Sequence, residues 1–204
     1  VVADGNGDGT FGDLTFYPTV PRPDVLALGD LDGDGDFEAV TPSPQAFSVG
    51  VLQGRADGSF FGNDTSFSVG NAPRAIAVGD LDDDGDLDIA AGNRDSMSLA
   101  LGDGFGGFAD PITVDGFAGD AADVEFGDVN HDGQLDIVSL YASNRLYVSL
   151  GGNDGSVADP VEAVNLGTES YGFELGHLND DEHLDAVVHV LGAIRALLGS
   201  GDGN

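Results

Sequence analysis

The feature that most limits how this chain can fold is a period of about fifty residues that runs through all 204. Four segments align without gaps: 29–40 (GDLDGDGDFEAV), 79–90 (GDLDDDGDLDIA), 127–138 (GDVNHDGQLDIV) and 176–187 (GHLNDDEHLDAV), so their starts lie 50, 48 and 49 residues apart. A second landmark keeps the same phase, an apolar stretch running into a glycine-rich turn: VGVLQGRADGSF from Val49, LALGDGFGGF from Leu99, VSLGGNDGSV from Val148 and RALLGSGDGN from Arg195. The opening residues, VVADGNGDGTF, are another copy of that turn. Two landmarks in one phase call for a repeat architecture. The chain starts inside a repeat, which is the expectation for a mature, trimmed or partial chain.

Each period holds four short apolar stretches, seen best at Arg74 to Val78, Leu87 to Ala91, Ser98 to Leu101 and Phe108 to Val114. Apolar and β-branched residues on a period of two, bounded by Gly, Asn and Asp, predict strands. No amphipathic stretch of helical period reaches ten residues, and the 33 glycines follow no collagen spacing. Repeats of roughly 40–50 residues with four strands each are propeller blades; a β-helix needs shorter coils and a sandwich does not repeat at this length. The predicted fold is all-β, a β-propeller of four-stranded antiparallel blades. About four repeats, 21–70, 71–118, 119–167 and 168–204, form a single domain or partial propeller over 1–204. Residues 1–20 are expected to act as a closing strand.

Three of the segments share the spacing D-x-[DN]-x-D-G-x-x-[DE]. The first offers Asp30, Asp32, Asp34 and Glu38, the second Asp80, Asp82, Asp84 and Asp88, and the third Asp128, Asn130, Asp132 and Asp136. Alternate side chains converge when the backbone curls about an ion, and the seventh-position carbonyls of Asp36, Asp86 and Gln134 can complete the shell. Gly35, Gly85 and Gly133 hold the sixth position, where a sharp turn favours a left-handed backbone. An all-oxygen set with several carboxylates suits Ca²⁺; Mg²⁺ prefers a tight, hydrated octahedron and Zn²⁺ prefers nitrogen or sulfur. An EF-hand is excluded, because its bidentate Glu at position twelve would fall on Thr41, Ala91 or Ser139. About three Ca²⁺ sites are expected. The fourth loop has His177 and Glu182 where the others have Asp and Gly, leaving Asn179, Asp181, His183 and Asp185 as weaker candidates. It reads as a decayed loop held by hydrogen bonds, with a transition-metal site on His177 and His183 as the alternative. His131 falls on a non-ligand loop position and His189 in a strand.

Composition narrows function. Against 37 acidic residues stand six arginines and no lysine, a formal net charge of -31. Such a surface repels nucleic acid and anionic membranes. The acidic loops account for about a dozen of those 37 acids, so the remainder is spread over the surface, and this composition resembles that of proteins from extreme halophiles. The absence of cysteine excludes disulfides and thiolate sites. No serine sits in a G-x-S-x-G nucleophile elbow, and no carboxylate pair stands out as a catalytic one. No apolar run approaches the ~18 residues of a membrane span. Asp4, Asn6, Asp8 and Gly9 imitate a calcium loop but occupy the turn landmark, and Asn63-Asp64-Thr65 is a glycosylation sequon that matters only on export.

The sequence of a strand, then GDLDDDGDLDIA, then a strand ending in LGDGFGGF, with Gly70-Asn71-Ala72-Pro73 ahead of it as a G-x-x-P lead-in, resembles the FG-GAP/VCBS repeats of integrin-α-like propellers. The resemblance covers nearly the whole chain and is weakest in the fourth repeat. It implies calcium loops joining the first two strands of each blade, on an extracellular or cell-surface protein that binds a protein or glycan. Such propellers commonly have about seven blades. Three functions follow as expectations: a calcium-stabilised binding or adhesion module and not an enzyme; a structural subunit of a cell-surface assembly or filament, with homo-oligomers formed through terminal edge strands; or a carbohydrate-binding or carbohydrate-active domain. Residues 10–20 match 107–114 and are expected to pair with residues 193–198, within one chain or between chains.

Overall fold

Side chains of a strand alternate between the two faces of its sheet, and here both faces of the middle strands are covered. The structure is a computed structural model and describes residues 1–61 and 65–203. Among the described residues there is no helix, and fourteen strands form three antiparallel sheets.

The first sheet runs β1 (Ala27–Gly29), β2 (Glu38–Ser43), β3 (Ser48–Leu52), β4 (Thr65–Ser68) in spatial order. The second holds seven strands: β5 (Ala75–Gly79), β6 (Asp88–Gly92), β7 (Arg94–Ala100), β8 (Ile112–Gly127), β9 (Asp136–Tyr141), β10 (Arg145–Ser149) and β11 (Val161–Asn165). The third is β12 (Ser170–Gly176), β13 (Asp185–Val190), β14 (Ala193–Leu197). Every acidic loop connects the first two strands of its repeat.

The seven-stranded sheet differs from the expected separate blades. β8 is 16 residues long and pairs through its first part with β7 and through its second with β9. The register between β7 and β8 shifts from Ser96↔Asp115 to Arg94↔Asp120. Gly116 and Gly119, at φ 112° and 93°, absorb the extra residues as a bulge. Arg94 Nε donates to Asp120 Oδ1 at 2.5 Å and fastens the second half.

Three apolar cores lie between successive repeats. Val40, Val49 and Val51 pack on Ile76, Ile89 and Ala91. Ala90, Met97 and Leu99 pack on Val124, Ile137 and Tyr141. Val138, Leu140 and Val148 pack on Phe173, Ala186 and Val188. Neighbours in sequence thus serve opposite cores, Ile89 and Ala90 or Ile137 and Val138, which is why β6 and β9 are buried at every residue. The last sheet has such a neighbour on one side only: β14 is exposed along most of its length, with Ile194 72 % exposed.

Residues 10–20 do not run along β14. Thr15 pairs with Val2 and Phe11 with Gly5, Tyr17 sits edge-on to Phe60 with ring centroids 5.6 Å apart, and Val20 is buried. Pairing a few residues away costs less loop-closure entropy than pairing across the whole chain, by roughly 2–3 kcal/mol for this ratio of loop lengths. In the opening turn, Asp8 Oδ1 accepts the Thr10 N–H at 2.9 Å, as expected of a plain turn.

Candidate metal centres

The ninth-position carboxylates are the innermost part of each acidic loop. Glu38, Asp88, Asp136 and Asp185 are each 0–1 % exposed. One oxygen of each accepts the N–H of the second loop residue: Leu31 at 2.7 Å, Leu81 at 2.7 Å, Val129 at 2.9 Å, Leu178 at 2.8 Å. The other accepts the N–H of the glycine that ends the third strand: Gly54 at 3.1 Å, Gly102 at 2.8 Å, Gly151 at 2.9 Å, Gly199 at 2.8 Å. A Cβ on any of these four glycines would collide with the carbonyl oxygen of Phe37, Leu87, Leu135 or Leu184. The carboxylate therefore clamps loop to turn in all four repeats. Burial pushes the carboxyls of Glu38, Asp88 and Asp136 above their ordinary range, against the pull of the two N–H bonds.

The curl of the first three loops is built identically. The first carboxylate accepts the N–H of the sixth-position glycine at 3.0 Å in each: Asp30 from Gly35, Asp80 from Gly85, Asp128 from Gly133. Those glycines have φ between 88° and 94°, the left-handed region expected of them. The fifth carboxylate accepts the N–H two residues on: Asp34 from Asp36 at 2.9 Å, Asp84 from Asp86 at 2.9 Å, Asp132 from Gln134 at 2.8 Å.

The structure brings carboxylates together in the first two loops. Asp30, Asp32 and Glu38 each place an oxygen within 4.8 Å of the other two, and so do Asp80, Asp82 and Asp88. Asp34 and Asp84 stand outside these groups. Two oxygens of the clusters, Oδ1 of Asp30 and Oδ1 of Asp82, are buried with no hydrogen-bond partner. A buried carboxylate oxygen without a partner costs on the order of 1–3 kcal/mol or more, and a hard cation among three carboxylates is the partner that fits. Burial, then the charge of Asp84, raises Asp82; burial, then the charge of Asp34, raises Asp36. A cation would reverse both shifts.

The third loop spends its polar atoms internally. Asn130 Nδ2 donates to Asp132 Oδ2 at 2.9 Å, and the Asn130 oxygen accepts the Asp132 N–H at 2.9 Å. The Gln134 N–H and then the Asn130 amide hold the Asp132 carboxyl below its ordinary range. Oε1 of Gln134 is buried without a partner, so the seventh-position side chain, offered from sequence only for its backbone carbonyl, has an oxygen to give.

The fourth loop closes on itself. His177 Nδ1 lies 2.9 Å from the carbonyl oxygen of His183, so it carries the proton and donates. The first and seventh positions, both candidate ligand positions in the other loops, thereby satisfy each other. Asn179 accepts the Asp181 N–H at 2.8 Å and Asp181 the His183 N–H at 3.1 Å. Glu182 stands in the sixth position at φ 67°.

Loops and glycine turns interlock along one rim of the stacked sheets. The N–H of Gly106, in the second repeat's turn, donates to the carbonyl of Leu31 in the first loop at 3.1 Å. A Cβ on Gly151 would stand 3.6 Å from Leu81 of the second loop, and one on Gly203 would stand 3.4 Å from Asn130 of the third. Each turn thus rests on the loop of the repeat before it. Phe105, at the tip of the second turn, is 87 % exposed on this rim. The sequon residues Asn63 and Asp64 lie outside the described residues.

Comparison with known proteins agrees with this architecture. Residues 80–139, which span the second and third loops, match the model of the FG-GAP-like repeat. No curated protein matches the sequence. Among solved structures the chain is similar to BBS1N in complex with ARL6DN, with a TM-score of 0.63 at 10 % identity over 92 % of this chain and 57 % of that one. It is also similar to an Agrocybe aegerita lectin that recognises non-reducing terminal N-acetylglucosamine (TM-score 0.59, 18 % identity, 88 % of this chain, 50 % of that one). A third likeness is to the V. cholerae biofilm matrix protein Bap1 (TM-score 0.54, 22 % identity, 88 % of this chain, 27 % of that one). The chain therefore spans between 27 % and 57 % of the length of these proteins. It is an all-β protein with a propeller-type fold, and it carries an FG-GAP-like repeat. Among the described residues no helix is long and apolar enough to cross a membrane.

Proposed function

We propose that this chain is part of a calcium-stabilised extracellular or cell-surface propeller that binds a protein or glycan through its loop rim, and that it is not an enzyme. The observation that carries the calcium reading is the pair of buried, unpartnered oxygens, Asp30 Oδ1 and Asp82 Oδ1, inside three-carboxylate groups. An all-oxygen group of that charge suits a hard cation of six to eight ligands. The binding reading rests on the rim, where Phe105 is exposed beside the first loop and the loops beneath it are stiffened by cations. A lectin, a protein complex and a biofilm matrix protein among the similar structures support it by analogy. Two measurements test it. Metal content of the purified protein should give two Ca²⁺ per chain from the first two loops, with the third loop as a further site, and a glycan array with protein pull-down should yield a ligand whose binding Phe105→Ala weakens. A protein free of calcium at millimolar Ca²⁺ would sink the first half; unchanged binding by the variant would sink the second.

The open edge of β14 supports a second reading, that this sheet takes a strand from another chain or from further repeats. Light scattering across concentration distinguishes assembly from a monomer. The acidity fits a protein held in concentrated salt. At -31 net charge, three Ca²⁺ offset six charges, and self-repulsion then loosens the fold on dialysis to millimolar salt with calcium kept saturating. Equal stability in millimolar and molar salt would contradict the halophilic reading.

A further inference from the structure

Two loops of adjacent repeats meet through their histidines. His131 occupies the fourth position of the third loop with φ 62°, the same left-handed backbone as Gly33 and Asp83 at that position in the first two loops. Its side chain is exposed and leaves the curl for the neighbouring repeat. There His131 Nε2 lies 3.3 Å from His183 Nδ1 of the fourth loop, with the rings perpendicular at 87° and their centroids 4.9 Å apart. The His183 ring also lies against the terminal turn, where a Cβ on Gly201 would collide with the ring's Nδ1 and Cε1. His177 is engaged elsewhere in the fourth loop, its Nδ1 donating to the His183 carbonyl.

Two imidazole nitrogens turned toward one another need something between them. A shared proton does this in the free protein, although 3.3 Å is long for such a bond. A tetrahedral Zn²⁺ does it better: with Zn–N of ~2.0–2.1 Å its two nitrogen ligands stand roughly 3.3–3.4 Å apart. We propose that His131 and His183 form a transition-metal site that bridges the third and fourth repeats, taking Zn²⁺ or a similar imidazole-seeking divalent ion, with water in the remaining positions. It is a site of different chemistry from the acidic curls. They present oxygen to a hard cation, whereas this pair presents nitrogen. It also gives the fourth loop, whose curl is closed by His177, a metal that it shares with its neighbour. The inference does not rest on calcium in any loop.

The test is calorimetric titration of Zn²⁺ into full-length protein kept in excess Ca²⁺, so that the acidic curls are occupied by the harder ion. Wild type should take up one Zn²⁺, His131→Ala and His183→Ala should each weaken that event at least tenfold, and His177→Ala should leave it unchanged. Because His183 packs against the terminal turn, His131→Gln serves as the milder variant, since it changes an exposed side chain and should leave calcium-saturated melting unaltered. Imidazole nitrogen resonances give a second readout: those of His131 and His183 should move together on adding one equivalent of Zn²⁺, and that of His189 should stay. Equal affinity in wild type and His131→Gln would overturn the proposal. So would a loss in His177→Ala as large as in His183→Ala, which would place the metal within the fourth loop alone.

Discussion

The second and fourth acidic loops share one clamp and have opposite interiors. Both are clamped by a buried ninth-position carboxylate, Asp88 in one and Asp185 in the other, and each carboxylate holds one N–H of the loop and one of the following glycine turn. Inside the curl they diverge. The second loop gathers three carboxylates and leaves a buried oxygen without a partner. The fourth replaces its first Asp with His177, which donates to the carbonyl of the seventh residue. A motif that looks like one set of ligands is therefore two devices: a clamp that every repeat keeps, and a curl that holds either gathered carboxylates or an internal hydrogen bond.

The largest effect expected is loss of the clamp. Asp185→Ala takes the acceptor from the half-buried N–H bonds of Leu178 and Gly199, and at ~1.5–3 kcal/mol for each hydrogen bond to a charged acceptor it should cost on the order of 3–5 kcal/mol in urea unfolding. Asp88→Ala should cost at least as much, and more in calcium than in chelator. A neutral Asp185→Ala would break the comparison by showing that the fourth clamp is idle.

Chelation comes next. Each occupied curl contributes ~2.7 kcal/mol at a hundredfold excess over Kd, so melting should fall markedly on adding chelator at constant ionic strength. Asp82→Ala should lose one ion per chain and part of that response, and Asp181→Ala should lose neither. Equal ion loss from both variants would erase the distinction between the two interiors.

The strands that feed the two loops also differ. β12, which enters the fourth loop, is docked by carboxylates on β8: Asp123 accepts the Phe173 N–H and Glu125 the Leu175 N–H, both at 3.0 Å. The apolar contact is common to both repeats, Val78 and Leu87 over Gly29 and Leu175 and Leu184 over Gly127. The carboxylate docking is what sets β12 apart from β5, which enters the second loop. Burial, with the nearby charges of Glu174 and Asp123, raises Glu125 to about 7. A carboxyl raised on folding stabilises the native state while protonated, so this contribution is complete below the ordinary Glu range and is lost as pH climbs through about 7. Discounted for partial exposure, the loss is on the order of 1–2 kcal/mol. Urea unfolding from pH 5 to 8 should show it in wild type and not in Glu125→Gln. A matching slope in the variant would assign the dependence elsewhere.

The smallest effect concerns the sixth position. Glu182 holds a left-handed backbone that Gly85 adopts freely, at φ 67° against 94°. Relief of ~1–2 kcal/mol of strain, less the entropy of an added glycine, should make Glu182→Gly stabilising by under about 1 kcal/mol. Destabilisation would mean that the Glu182 side chain has a role of its own.

Much of this molecule can be read from its residues. Period, strand alternation and the D-x-[DN]-x-D-G spacing are local properties, set by side-chain size, polarity and the left-handed preference of glycine. They place the loops between the first two strands of each repeat and mark the fourth loop as the odd one. The glycines of the clamp were visible as the turn landmark, 14 to 16 residues after each ninth-position acid, but nothing in that spacing says that a carboxylate and an amide meet there. The same holds for β8, where the expected boundary between two blades vanished because a bulge at Gly116 to Gly119 let one strand serve two neighbours.

The difference is one of range. A repeat, a turn and a face are written within a few residues, so the order of amino acids is enough to establish them. Whether an oxygen is left over is a question of what else approaches it once the sheets have stacked. Asp30 Oδ1 and Asp82 Oδ1 are short of a partner, while Asp185 has both of its oxygens satisfied, because burial removes water and only the packed neighbours remain as donors. His131, a non-ligand by its place in the loop, meets His183 from 52 residues away for the same reason. Stacking brings consecutive loops side by side, and the chemistry between them exists only in the stack.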